Sequence, residues 1–153
     1  MGTPTARSSH KAGQDWLSSC APDPAAIVRT WELEQFASIP SGPHWRVAEA
    51  PLLRSVEALR RIRADRLGPV LADVHRDVAW WLVPGNRAHE LDDVRQIKLH
   101  PPGWPLSCPP VLHSLEGRWW LERPDGTGLL TDPSALGAAF GPGGYRLTAE
   151  ASA

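Results

Sequence analysis

The stretch LGPVLADVHRDVAWWLVPG, residues 67–85, decides how this chain is read. Val70 to Ala72 and Val78 to Val83 are short apolar runs rich in branched and aromatic side chains. The mainly polar segment Asp73-Val74-His75-Arg76-Asp77 between them predicts a hairpin. Gly68-Pro69 before it and Pro84-Gly85 after it break any regular element, so the hairpin is bounded on both sides. Neighbouring residues on a strand point to opposite faces, which sends the indoles of Trp80 and Trp81 to opposite sides of the sheet. Helices covering both faces make both rings core. An open face would instead present an aromatic platform.

Working outward, Pro51 to about Asp65 has Leu52, Leu53, Val56, Leu59 and Ile62 at helical spacing. A strand from His44 to Ala50 precedes it, after the break Ile39-Pro40-Ser41-Gly42-Pro43. Earlier still, Asp23 caps and Pro24 opens a helix running to about Phe36, and a short helix covers Ala12 to Ser19. Downstream, Asn86 caps a short helix to about Asp92 and Val94 to His100 reads as a strand. The proline-heavy run Pro101 to Pro110 must be a sheet edge or a surface loop. Val111 to His113 and Gly117 to Glu122 offer further strands, and Asp132-Pro133 opens a last helix to about Phe140. Five or six strands with three or four helices predict an α+β domain, or α/β with a mixed sheet. The expected organisation is a disordered start at residues 1–11, one domain over 12–140 and a flexible tail at 141–153.

Composition narrows the function classes. The chain has 153 residues and a net charge of -1, so no global field draws it onto nucleic acid or anionic lipid, and polyanion binding must be local. No apolar run reaches the ~20 residues of a membrane span, and Met1 to Gln14 lacks the apolar core of a secretory signal, which makes the cytoplasm the expected address. Two cysteines, Cys20 and Cys108, are too few for a disulfide framework. The eight tryptophans are unusual beside two Phe and one Tyr, and where their rings point matters more than any motif.

Four groups of residues are candidates for function. Arg54, Arg60, Arg61, Arg63 and Arg66 crowd one helix and its end, as a solvated face or as a nucleic-acid-binding phosphate patch. Trp80, Trp81, Trp119 and Trp120 are core residues or, on an open face, a partner-binding surface flanked by Arg118 and Arg123. Asp73, His75 and Asp77 alternate, so an extended backbone would put all three on one face and let them share a divalent metal. His100, Cys108 and His113 bracket the proline-rich loop without the close ligand pair of a zinc site, and no sequence context supports Cys108 as a nucleophile. No phosphate loop, dinucleotide fingerprint or nucleophile elbow is present. The expectation is therefore no catalytic residue, no metal and no cofactor.

The order of segments carries a resemblance: Ala12 to Leu17, the helix with Trp31, Val47-Ala48-Glu49-Ala50-Pro51, Leu52 to Ile62, Leu67 to Asp73, then Trp81-Leu82-Val83-Pro84-Gly85. Over residues 12 to 140 this resembles the small actinobacterial proteins of the bifunctional DNA primase/polymerase-like kind. The resemblance implies a primase-polymerase fold whose active members set two acidic residues, one apart, at the end of a central strand to hold divalent ions. Ala48 and Ala50 stand where those acids belong, and Glu49 between them points to the other face. The nucleotide-contacting histidine of active relatives has a counterpart, His75, only if the hairpin of residues 70–83 is the matching one. The expected function is a non-catalytic, regulatory domain that binds a protein partner or nucleic acid. The alternatives are a metal-dependent nucleotidyl-transfer or phosphoester enzyme rebuilt around Asp73, His75 and Asp77 with Glu49 nearby, or an oligomerising protein that uses exposed Trp.

Overall fold

The computed structural model describes residues 6–141. The elements in chain order are α1 (Ala6–Ser19), α2 (Pro24–Glu32), β1 (Ala37–Pro40), β2 (Arg46–Pro51), α3 (Leu52–Leu59), β3 (Val70–Asp73), β4 (Val78–Val83), β5 (Lys98–Leu99), β6 (Pro105–Cys108), β7 (Arg118–Glu122) and α4 (Pro133–Ala139). Short 3-10 helices at Ala64–Arg66 and Gly85–Leu91 complete the set. This is an α+β fold with seven strands among the described residues, one more than the upper expectation. The expected tail lies outside the described residues apart from Gly141.

The hairpin of residues 70–83 forms as β3 and β4, paired antiparallel from Val70↔Trp81 to Asp73↔Val78. It is the middle of a five-stranded sheet of order β5-β2-β4-β3-β7. The chain leaves β2, crosses through α3 and enters β3, and β4 then inserts between those two strands. Every pairing in both sheets is antiparallel rather than mixed, because β4 separates the two strands joined by the α3 crossover, and β2 likewise separates β4 from β5. β1 and β6 form a separate two-stranded sheet in register Ala37↔Cys108 to Pro40↔Pro105. Two prolines face one another at its end, and backbone hydrogen bonds of Ser41 with Trp104 and Gly103 carry the pairing beyond them. The proline-heavy run thus yields an edge strand, while β1 arises where a break was expected.

Several boundaries move for local reasons. The Asp23 side chain accepts from the Ala26 amide at 3.3 Å and Pro24 occupies the first turn of α2, as expected. That helix stops at Glu32, not Phe36, because Glu34 turns left-handed (φ 58°) and Phe36 leads into β1. α1 starts at Ala6 rather than Ala12. α3 ends at Leu59, short of Asp65, and an irregular turn then carries Ile62 into the core. Leu53 is 71% exposed although its spacing fits a buried stripe. Val111 to His113 is a loop, and of Val94 to His100 only Lys98–Leu99 pairs, since Val94 and Ile97 are buried from turns.

The sheet is covered on both faces. Val47, Leu71, Trp80, Leu82 and Trp120 pack on one side against Leu17, Ile27 and Trp31 of the first two helices and Ile39 and Leu106 of the small sheet. Ala48, Ala50, Val70, Ala79, Trp81 and Val83 pack on the other against Ala58, Ile62, Leu136 and Phe140. Small side chains on β2, β3 and β4 leave room on this second face for Trp81, whose Nε1 donates to Ser55 Oγ of α3 at 3.0 Å. Gly68 shows how closely the layers meet: a Cβ there would lie 2.6 Å from both the Leu129 carbonyl and the Leu130 Cα. Both are backbone atoms that cannot rotate away. Gly68→Ala is expected to cost about 1–3 kcal/mol by overpacking, read as a lower urea midpoint with an unchanged slope.

Candidate functional site

Two regions concentrate polar chemistry. The first is a partly buried array on the face shared with the small sheet. Glu49 sits on β2 opposite Trp80 of β4, and its Oε1 accepts from Trp80 Nε1 at 3.0 Å and lies 2.8 Å from His100 Nε2. The ring of His100 stacks on Trp104, centroids 3.8 Å apart and planes 8° from parallel. Its carbonyl accepts two hydrogen bonds from Arg46, at 3.0 and 2.8 Å. Burial alone would raise the Glu49 carboxyl, but the hydrogen bonds from His100 and Trp80 and the charges of His100 and Arg76 hold it below the usual carboxylate range.

One row along the sheet, Asp73 of β3 pairs with Arg118 of β7, Nη2 to Oδ2 2.7 Å and Nε to Oδ2 2.9 Å, with both side chains close to fully buried. Arg118 also donates to the Ser107 carbonyl of β6 at 2.8 Å. Its guanidinium lies over two rings, 4.6 Å from the Trp80 centroid and 5.1 Å from that of Phe36. Burial pushes the Asp73 carboxyl up, yet the Arg76 amide, Arg118 and the His75 amide together draw it below its ordinary value. The array ties β2, β3, β4, β6 and β7 together, and its polar groups are spent on one another.

The second region is a cleft of about 350 Å³ between the end of α3 and α4, lined by Arg61, Ile62, Arg63, Arg66, Ala135, Ala138 and Ala139. Only Arg54 of the five arginines lies on α3. Arg60, Arg61 and Arg63 sit on the turn after it and Arg66 on the 3-10 helix, so the basic residues follow a bend and not one helical face. Arg54 and Arg61 donate to the Phe140 and Ala139 carbonyls, at 3.2 and 2.8 Å, which satisfies the open end of α4. Arg66 pairs with Asp132, and Arg63 pairs at the surface with Asp65. Arg60 is exposed and has no partner among the described residues.

The other candidates fall out differently. Trp80, Trp81 and Trp120 are 1%, 0% and 5% exposed, so they are core and not a partner-binding platform, because both faces of the sheet are covered. Trp119, on the edge strand, is half-buried. Arg118, expected beside an open face, turns inward instead. Asp73, His75 and Asp77 do not converge: residues 74–77 form a tight turn with Asp77 left-handed (φ 59°), which destroys the alternation that an extended segment would give. Asp73 faces the interior while His75 and Asp77 are exposed. Among the described residues no three His, Cys, Asp or Glu side chains are placed to hold a metal ion. Ala48 and Ala50 are buried beneath α3 and Glu49 lies on the opposite face, so the divalent ions implied by the resemblance have no ligands at those positions. Cys20 and Cys108 are buried and burial raises both thiols, the reverse of a nucleophile's need.

Sequence reading placed Glu49 on the correct face but missed its partners, and it missed the pairing of Asp73 with Arg118. The available signal was charged residues within or at the ends of largely apolar strands, each of which needs a partner when buried. No helix among the described residues is long and apolar enough to cross a membrane. Comparison of the chain with protein-family models, curated proteins and solved structures finds no match.

The array generates two expectations. Removing one member of a buried ion pair strands the other, so Arg118→Ala should lower stability by about 3–5 kcal/mol in urea unfolding. Glu49 and Asp73 hold their charge more tightly folded than unfolded, so their contribution is complete above about pH 5 and lost as pH falls through about 4 and below. Thermal midpoints between pH 7 and 3 should show that fall, and Glu49→Gln and Asp73→Asn should each flatten it.

Proposed function

We propose that this chain is a primase-polymerase-like domain that acts by binding nucleic acid and not by metal-dependent phosphoryl transfer, with the cleft between α3 and α4 as its contact surface. The observation that carries this reading is the bend of arginines around that cleft. Three arginines, Arg61, Arg63 and Arg66, line the cleft, with Arg54 and Arg60 on the same stretch of chain, against the carboxylates of Glu57, Asp65 and Asp132. A chain with a net charge of -1 thus carries one concentrated basic edge.

Division of labour among the arginines supports the same reading. Arg54 and Arg61 hold α4 in place, while Arg63 lines the cleft with only a surface partner and the exposed Arg60 has none among the described residues. An exposed pair such as Arg63 with Asp65 contributes little and gives way readily to a phosphate. The cleft floor is alanine and isoleucine, with no aromatic ring on which a base would stack. Contacts there would fall on the phosphate backbone, and binding would be sensitive to salt and indifferent to sequence. The alanines at positions 48 and 50 fit a role without a metal pair.

Fluorescence anisotropy with a short labelled DNA, titrated between 50 and 200 mM salt, tests this. Binding should weaken steeply with salt. The double variant Arg60→Ala with Arg63→Ala should bind at least tenfold more weakly at low salt, with a log–log salt slope shallower by about 2. Primer extension with magnesium or manganese should yield no product. Salt-independent binding, or extension of the primer, would refute the reading.

A further inference from the structure

A second hollow, apart from the arginine cleft, opens beside the edge strand β7. It has a volume of about 420 Å³, within the range of small-molecule sites, and is walled by β7 and the loop of residues 111–117. Its lining is chemically one-sided: Trp119, Arg123, His113 and Ser114 offer an aromatic ring and hydrogen-bond donors, Val111 and Trp120 are apolar, and no carboxylate is among them.

The walls are braced. The Arg123 Nε donates to the Val111 carbonyl at 3.2 Å, which fixes the guanidinium at the rim, and its two terminal amino groups have no partner among the described residues. His113 is held by Glu34, Nε2 to Oε1 2.7 Å. The loop closes back onto β7 through reciprocal backbone hydrogen bonds between Leu115 and Arg118 at 2.9 and 3.0 Å. Gly117 allows that closure, since its φ is 83° and a Cβ there would meet the His75 ring at 2.6 Å. Trp120 is spent on the core, with Nε1 donating to the Pro109 carbonyl at 3.4 Å. Trp119 is half-buried and also lines the hollow. Arg123 also lines a neighbouring hollow with Glu122 and Asp125, neither of which forms an ion pair with it among the described residues.

We infer that this hollow is a binding site for a small anion carrying a flat ring, its ring against Trp119 and its charged group on Arg123. A guanidinium braced through one nitrogen keeps a planar pair of donors for a carboxylate or phosphate. Stacking on the Trp119 indole then adds affinity that a bare anion cannot use. A nucleoside monophosphate and an aromatic carboxylate share this chemistry.

Isothermal titration calorimetry of the full chain with adenosine 5′-monophosphate, indole-3-acetate, adenosine and inorganic phosphate tests the inference and separates the two sources. At least one of the ring-bearing anions should bind saturably, and whichever binds identifies the class. Adenosine and phosphate should each bind at least tenfold more weakly. Arg123→Gln, at an exposed position, should weaken binding at least tenfold while keeping the parent's circular dichroism spectrum, and Trp119→Leu should also weaken it. The Arg60→Ala, Arg63→Ala variant should bind the small anion as the parent does, so failure at either site is read independently of the other. No saturable binding by either anion, equal binding of adenosine, or undiminished binding by Arg123→Gln would overturn the inference.

Discussion

The two indoles of Trp80 and Trp81 govern the architecture. They leave the same central strand in opposite directions, so each face of the sheet must supply a cover and a hydrogen-bond acceptor. Trp81 finds Ser55 beneath α3, and Trp80 finds Glu49 on the neighbouring strand. A buried indole N–H without an acceptor would cost about 1–3 kcal/mol. The crossover helix on one side and the small sheet on the other are therefore matched responses to one residue pair. The alanines of β2 belong to the same solution, since any larger side chain beside Trp81 would lift α3 from the sheet.

Polar residues on the opposite face do a comparable job by different means. Glu49 lies inside β2, Asp73 ends β3 and Arg118 begins β7, and all three are engaged. Arg118 reaches four surroundings at once: the Asp73 carboxylate, the Ser107 carbonyl and the faces of Trp80 and Phe36. A delocalised, weakly hydrated cation can make all of these contacts, and a lysine ammonium could not. The result is a junction between the two sheets built from charge where packing alone would leave their relative position loosely specified.

Much of the fold is legible in the sequence because its signals are local. Pro24 after Asp23, the breaks at Gly68-Pro69 and Pro84-Gly85, and the β3–β4 hairpin depend on the chemistry of neighbouring residues. What is not legible depends on distant ones. The end of α2 turns on Glu34 adopting a left-handed conformation that no propensity assigns to glutamate, and β1 exists only because β6 arrives beside it. Asp73, His75 and Asp77 mislead for a related reason: alternation implies a shared face only if the backbone stays extended, and here it turns. The same holds for the candidate sites. The arginine cluster is visible as composition, but its division into braces for α4 and free rim residues needs the α3–α4 contact. The hollow beside β7 unites residues from 111 to 123 across a loop closure that no motif marks.

The paired prolines that end the small sheet have a further consequence. An exposed strand edge is a template on which other chains can add, and the usual defence is to deny the newcomer its hydrogen bonds. Pro40 and Pro105 sit side by side at one corner of the β1–β6 pair. Neither can donate a proton to an arriving strand from that corner. At that corner the ribbon offers an incoming strand one donor fewer on each edge.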